Sequence, residues 1–266
     1  MENTDIRDYY QNRYNENERM QRQPLEFLRC KDIISRYLTP ERMAIADIGG
    51  ATGVFSYWLA QQNHNVHLLD YTPLHIEQAR ENGAALGLEL ASASVGDARA
   101  LPYADAQFDL ALLMGPLYHL QDASDRARCL TEAHRTLKPG GTVICEGISR
   151  YANLLGSLHE KLIDDDRFIS LLDENLATGN HNPGDTPYFT TAYMHAPHEL
   201  ADELTQAGFV DIKLIAVEGV AFALNTSEIM ADERQRSLLL KYIKQTESNP
   251  DLIGTTGHFI AVGTKP

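Results

Sequence analysis

The stretch Ala46-Asp47-Ile48-Gly49-Gly50-Ala51-Thr52-Gly53, followed by Leu68-Leu69-Asp70 and then by Val95-Gly96-Asp97-Ala98, decides how this chain is read. It spells a strand, a glycine turn, a helix, a second strand ending in an acid and a third strand ending in an acid. Glycines in such a turn let the backbone come close to a ligand. This order is how an open α/β sheet holds a cofactor at the carboxyl ends of its strands.

The alternation extends on both sides. Ala44–Ile48 reads as a buried strand, Val54–Gln62 as a helix and Val66–Asp70 as the second strand. Thr72 caps the next helix, with Pro73 in its first turn; it runs to Leu86 and Gly87 stops it. Glu89–Val95 is a third strand. Phe108–Met114 is apolar but for Asp109 and reads as a fourth strand buried on both faces. A helix over Asp122–Leu137, a turn at Pro139-Gly140-Gly141 and a strand over Thr142–Ile148 complete the run. Alternation of this kind builds a parallel sheet with helices on both faces.

Regularity breaks at Ser149. Two short helical patterns, Leu154–Ile163 and Phe168–Leu176, precede a loop over Thr178–Pro187. This insertion reads as a substrate cap or as a plain surface excursion. Pro197 then opens a helix ending at Ala207-Gly208, followed by a strand over Phe209–Val217, a long helix over Thr226–Thr246 and a last strand over His258–Gly263. Ahead of the first strand, a very polar helix over Ile6–Met20 is a solvated arm or a lid over a ligand, and Leu25–Leu38 is a helix that covers a sheet edge. The division expected is therefore an arm or lid at 1–40, a cofactor-binding core at 41–149, an inserted cap at 150–196 and a return to the core at 197–266.

Composition narrows the partners. The 266 residues carry a formal net charge of −14 and no long basic run, which disfavours DNA or RNA as substrate. No apolar run is long enough to span a membrane, and the polar start Met1-Glu2-Asn3-Thr4-Asp5 lacks a signal-peptide core, so the expected location is cytoplasmic. Cys30, Cys129 and Cys145 are far apart, which argues against a disulfide framework or a zinc site. Asp164-Asp165-Asp166 reads as a solvated helix end, and no metal is expected. His159 and His181 read as surface residues. A homodimer through the long helix at 226–246 remains open.

Asp47-Ile48-Gly49-Gly50-Ala51-Thr52-Gly53 resembles the first motif, D/E-x-G-x-G-x-G, of the class I S-adenosylmethionine-dependent methyltransferase family, with Ala51 at the middle glycine. It is not the dinucleotide fingerprint G-x-G-x-x-G. The later motifs fall in the family's order, and the resemblance covers residues 43–148 well. It implies a Rossmann-like, doubly wound, mostly parallel seven-stranded sheet and S-adenosyl-L-methionine as cofactor. It also implies that the turn residues Asp47, Gly49, Gly50, Ala51 and Gly53 hold that cofactor. Asp70 would meet the ribose, Tyr71 the adenine ring, Asp97 and Ala98 the adenine edge, and Met114 and Gly115 the methionine ammonium. Tyr14 and Arg19 in the arm could close over its carboxylate.

On the acceptor side, Gly115-Pro116-Leu117-Tyr118-His119-Leu120 lies just past the fourth strand. His119 is the candidate base or orienter, or else a histidine bonded to a backbone carbonyl. Tyr118 shapes the pocket. Tyr10 from the arm, and Tyr188, Tyr193 and His195 from an aromatic segment before Pro197, are candidate substrate contacts, with packing of a cap onto the sheet as the alternative. The function expected is transfer of a methyl group to an N, O or C nucleophile of a small molecule by in-line displacement. The alternatives are a nucleoside-binding regulatory partner and another transferase on the same fold, such as one moving an aminopropyl group.

Overall fold

The computed structural model describes residues 4–12, 24–184 and 186–266. Helix α1 (Thr4–Asn12) and helix α2 (Pro24–Ser35) precede the sheet. Strand β1 (Ala44–Ile48), helix α3 (Val54–Ala60), strand β2 (Asn65–Asp70), helix α4 (Pro73–Leu86) and strand β3 (Ser92–Val95) follow the alternating pattern. Strand β4 (Phe108–Leu113), helix α5 (Ala123–Thr136) and strand β5 (Leu137–Ile148) extend it. Helix α6 (Ala152–Glu160), helix α7 (Asp166–Thr178), strand β6 (Asn180–His181) and strand β7 (Ala192–Tyr193) then leave the sheet. Helix α8 (Pro197–Gln206), strand β8 (Val210–Ala216), helices α9 (Ser227–Ala231) and α10 (Glu233–Thr246), and strand β9 (His258–Thr264) return to it.

The seven-stranded sheet has the order β3-β2-β1-β4-β5-β9-β8. The pairs from β3 through β5 are parallel, and β9 runs antiparallel to both its neighbours. Strand order reverses between β1 and β4, so a crevice opens at their carboxyl ends. Because side chains alternate along a strand, Ala46 and Ile48 pack under α5 and α8 with Leu130, Leu200 and Phe259. Ile45 faces the other way, against Ile33 and Ile34 of α2. Both faces of β4 are buried over Leu110–Leu113, which accounts for the apolar run there; Asp109, near its start, is half-buried and pairs with Lys138.

Several boundaries differ from those expected. β5 begins at Leu137, and the Pro139-Gly140-Gly141 turn is an irregularity within the strand, marked by a register shift against β4 and a left-handed Gly140. The expected 226–246 helix is two helices, broken where the Asp232 carboxylate accepts from Gln235 N and caps α10. The loop expected at 178–187 contains β6, which pairs with β7. α1 accounts for the first half of the arm helix, and its continuation to Met20 lies outside the described residues. Asp165 caps α7, accepting from Arg167 N. Cys30, Cys129 and Cys145 are buried, and none is in a disulfide among the described residues. Among the described residues, no helix is long and apolar enough to cross a membrane.

Candidate cofactor and acceptor site

A cavity of about 940 Å³ opens at the carboxyl edge of the sheet. One end is walled by the turn after β1 and the ends of β2, β3 and β4. The other is walled by α1, α6 and the segment before α8.

The turn is shaped for close approach. Gly49 is left-handed (φ 72°), and a Cβ there would stand 2.7 Å from the Pro116 ring. A Cβ on Gly50 would stand 2.5 Å from the Asp47 carboxyl group. Ala51 also has positive φ (48°), so the departure from glycine at that position is absorbed by a strained but tolerated backbone. Gly49, Gly50 and Ala51 line the cavity. Gly53 does not; it faces the Tyr57 ring and admits the start of α3. Asp47 is likewise beneath the turn and not in the cavity wall. It is fully buried and accepts from the Ser56 hydroxyl at 2.6 Å. Burial pushes its carboxyl up to about 6.

Asp70 lines the cavity from the end of β2 but is already well bonded. It accepts from Ala51 N at 2.9 Å, Thr72 N at 2.8 Å and His75 Nδ1 at 3.0 Å. A carboxylate has about four lone-pair sites, so roughly one remains. His75 turns Nδ1 to the Asp70 carboxylate and itself lines the cavity; its buried Nε2 has no hydrogen-bond partner among the described residues. Tyr71 lines the cavity too, and the Arg7 guanidinium of α1 lies 4.6 Å from its ring centroid. Asp97 and Ala98 line the cavity after β3. The Arg99 fork takes both oxygens of Asp97 and holds its carboxyl below the usual range; Arg99 also bonds Asp125. Met114 and Gly115 close this end beyond β4.

Tyr10 of α1 stands between the two ends. Its hydroxyl meets His119 Nε2 at 3.0 Å, and its ring is 5.2 Å from His75. The Thr191 carbonyl, 3.4 Å from His119 Nδ1, can only accept. That fixes the proton on Nδ1 and makes Nε2 the acceptor for the Tyr10 hydroxyl. Tyr118 donates to the Met114 carbonyl and turns its ring to the cavity.

The aromatic segment before α8 is placed differently from the expectation. Tyr188 lines the cavity and donates to Asp165 Oδ2 at 2.6 Å. Tyr193 and His195 do not line it. Tyr193 is held by Arg126, 3.8 Å over its ring, and His195 is fully buried with Nε2 3.3 Å from Glu203. Pairing of β7 with β6 sets the register here, so Met194, which alternates with Tyr193 and His195, faces the cavity instead; Phe189, ahead of the strand, lines it too. His181, expected at the surface, is buried: its Nε2 meets the Phe189 carbonyl, and its Nδ1 lies near Asn175. Tyr14 and Arg19 lie outside the described residues.

With the geometry in place, comparison with known proteins is direct. A family model described as "Methyltransferase domain" matches residues 45–141. Residues 45–141 carry a methyltransferase domain, and the sheet around them has the class I S-adenosylmethionine-dependent methyltransferase fold. S-adenosylmethionine is the cofactor of that domain, and the Gly49-Gly50 cradle fits its backbone-close seat. A rice chloroplast 2-methyl-6-phytyl-1,4-hydroquinone methyltransferase is 34% identical over 107 residues, 40% of this chain and 31% of that one. A ubiquinone/menaquinone biosynthesis C-methyltransferase of Ruegeria is 29% identical over 127 residues, 46% of this chain and 50% of that one. A malonyl-[acyl-carrier protein] O-methyltransferase of Erwinia pyrifoliae is 32% identical over 148 residues, 55% and 49% of the two chains. The chain thus spans between 31% and 50% of the length of these relatives. A Methanosarcina mazei methyltransferase structure superposes with a TM-score of 0.61 at 21% identity, covering 88% of this chain and 96% of that one. At that identity the likeness concerns the fold.

Arg7, His75, Phe222 and His258 also border or cover the methyltransferase cavity, and none is marked by the motifs. His75 had a local signal: an imidazole in the first turn of the helix that follows the ribose-type acid. The others are brought in by topology alone.

Proposed function

We propose that the protein transfers a methyl group from S-adenosylmethionine to a small-molecule acceptor. The observation that carries this reading is a single cavity with two unlike ends. A glycine cradle and an acid at the end of β2 lie at one end, a capped apolar wall lies at the other, and an imidazole–tyrosine pair stands between them. S-adenosylmethionine, when bound, supplies an electrophilic methyl group. Gly49 and Gly50 admit the backbone to it. Asp70 offers an acceptor and His75 Nε2 a hydrogen-bonding atom to the ribose hydroxyls, and the strand ends at Met114 and Gly115 face the amino-acid moiety. Tyr10 and the cap exclude water from the reacting atoms. His119 Nε2, once Tyr10 moves aside, is an acceptor able to orient the nucleophile or take its proton. The names of the relatives point to carbon or oxygen nucleophiles, quinol and acyl types among them.

Calorimetric titration with S-adenosylmethionine, S-adenosylhomocysteine and NADH tests the reading. The two sulfur nucleosides should saturate and NADH should not; failure of both in ligand-stripped protein defeats the proposal. In the same assay Asp70→Ala should weaken S-adenosylhomocysteine binding about 10- to 100-fold, since a hydrogen bond to a charged group contributes ~1.5–3 kcal/mol. Affinity equal to wild type would remove Asp70 from the site. His119→Ala should leave that affinity within a few-fold and lower methyl transfer by roughly 10²–10⁴-fold. The product to follow is an acceptor gaining one methyl group, found by mass spectrometry in a metabolite mixture. Equal loss of binding and turnover would make His119 structural.

A further inference from the structure

The far end of the cavity holds a second histidine that the motifs do not mark. β9 is the antiparallel strand of the sheet, so its first residue, His258, reaches the edge where the parallel strands end. It pairs there with Ile148, the last residue of β5. Its Nδ1 lies 2.6 Å from Glu218 Oε1. Glu218 is held in turn: its other oxygen accepts from the Thr256 hydroxyl at 2.9 Å and from His258 N at 3.0 Å. The carboxylate is therefore held by a side-chain hydroxyl and a backbone N–H and in turn fixes the imidazole, which is how a ring is aimed at a site. Because Nδ1 is turned to Glu218, the part of the ring meeting the cavity is its Nε2 edge.

The charge state follows from the surroundings. Burial alone would push His258 down, but the carboxylates of Glu218, Glu26 on α2 and Glu146 on β5 outweigh it and raise the ring to about 10. Nε2 is therefore a proton donor at neutral pH, not a base. Glu26 Oε2 stands 3.8 Å from the ring, so Glu26, Glu218 and His258 bring three ligand-type atoms within 4.8 Å. The 2.6 Å contact makes this an ion pair, and the cluster carries no metal proposal.

The wall in front of the ring is apolar. Tyr118, Ile148, Ala152 and Met194 form a buried cluster with Phe189 and Phe222 packed against it. The Phe222 ring stands edge-on to His258, 6.1 Å between centroids, over Gly257, where any Cβ would strike it at 2.1 Å.

We propose that His258, aimed by Glu218, anchors the methyl acceptor by donating Nε2–H to an uncharged carbonyl or hydroxyl oxygen of an otherwise apolar, aromatic-sized molecule. A multiply charged anion is disfavoured by the three carboxylates behind the ring, and an ammonium by the imidazolium in front of them. This inference rests on the methyltransferase reading and assigns the substrate class of its acceptor end.

Three probes on one skeleton test it: acetophenone, which only accepts; ethylbenzene, which has no oxygen; and 1-phenylethylamine, which is a cation. Each is titrated into histidine-labelled protein saturated with S-adenosylhomocysteine, and imidazole signals are read by NMR. Acetophenone should shift the His258 ring and bind at least tenfold more tightly than the other two. In His258→Phe that preference should vanish while S-adenosylhomocysteine affinity stays within a few-fold. The wild-type ring shift keeps the test open if the variant does not fold. Tightest binding by the amine, equal binding of all three, no binding of acetophenone, or an unmoved His258 ring each overturns the assignment. Failure of S-adenosylhomocysteine to bind instead defeats the cofactor reading and this inference with it.

Discussion

Glu218→Ala should destabilise the protein by about 3–5 kcal/mol near neutral pH, because removing one member of a buried ion pair leaves the other uncompensated. Glu218 is buried and the His258 side chain is 13% exposed, their charged atoms 2.6 Å apart. The folded His258 titrates near 10 against an ordinary 6.5, so its contribution is complete below about 6.5 and is lost as pH rises through 10. The Glu218 carboxyl is pulled below its ordinary 4.5, its burial overcome by the His258 charge. Its contribution is present above 4.5 and is lost as pH falls through the depressed value. The wild-type advantage over Glu218→Ala, measured by urea unfolding, should therefore be widest between about pH 5 and 7 and narrow toward pH 10. A gap under about 1 kcal/mol, or one constant to pH 10, would mean that the pair is not charged in the folded protein.

Gly49→Val should abolish measurable S-adenosylhomocysteine binding, a loss of at least about 100-fold. Two effects act together. The residue is left-handed (φ 72°), where a β-branched side chain costs ~1–2 kcal/mol or more. Its Cβ would also stand 2.7 Å from Pro116, the residue that opens the His119 loop. Either the turn moves or the loop does, and both border the cavity. Titration calorimetry beside far-ultraviolet circular dichroism separates this from unfolding. A folded variant with wild-type affinity would show that the turn does not seat the cofactor.

Much of the frame was legible because its signals are local. A strand buried on both faces is largely apolar, as 108–113 is apart from Asp109, and a sharp turn beneath a ligand must contain glycine, as 49–50 does. The helix break at Asp232 was not legible, because no proline or glycine marks it and an aspartate is read as a cap only once its carboxylate is seen accepting from Gln235 N. The same holds for 188–195, where a slip of one residue exchanges the cavity face for the opposite one. Pairing of β7 with β6 chose Met194 for the cavity and turned Tyr193 and His195 toward Arg126 and Glu203.

By itself the sequence determined the α/β class, the order of the cofactor motifs and the position of the loop carrying His119, since each depends on residues close together in the chain. Only the tertiary structure decided that Asp47 and Gly53 lie under the turn, that His75 shares Asp70, and that Glu26, Glu146, Glu218 and His258 meet at the far end of the cavity. Those contacts join residues as many as 232 positions apart, Glu26 to His258. They exist because an antiparallel last strand brings its first residue to the carboxyl edge of a parallel sheet, a consequence of strand order that no local pattern encodes.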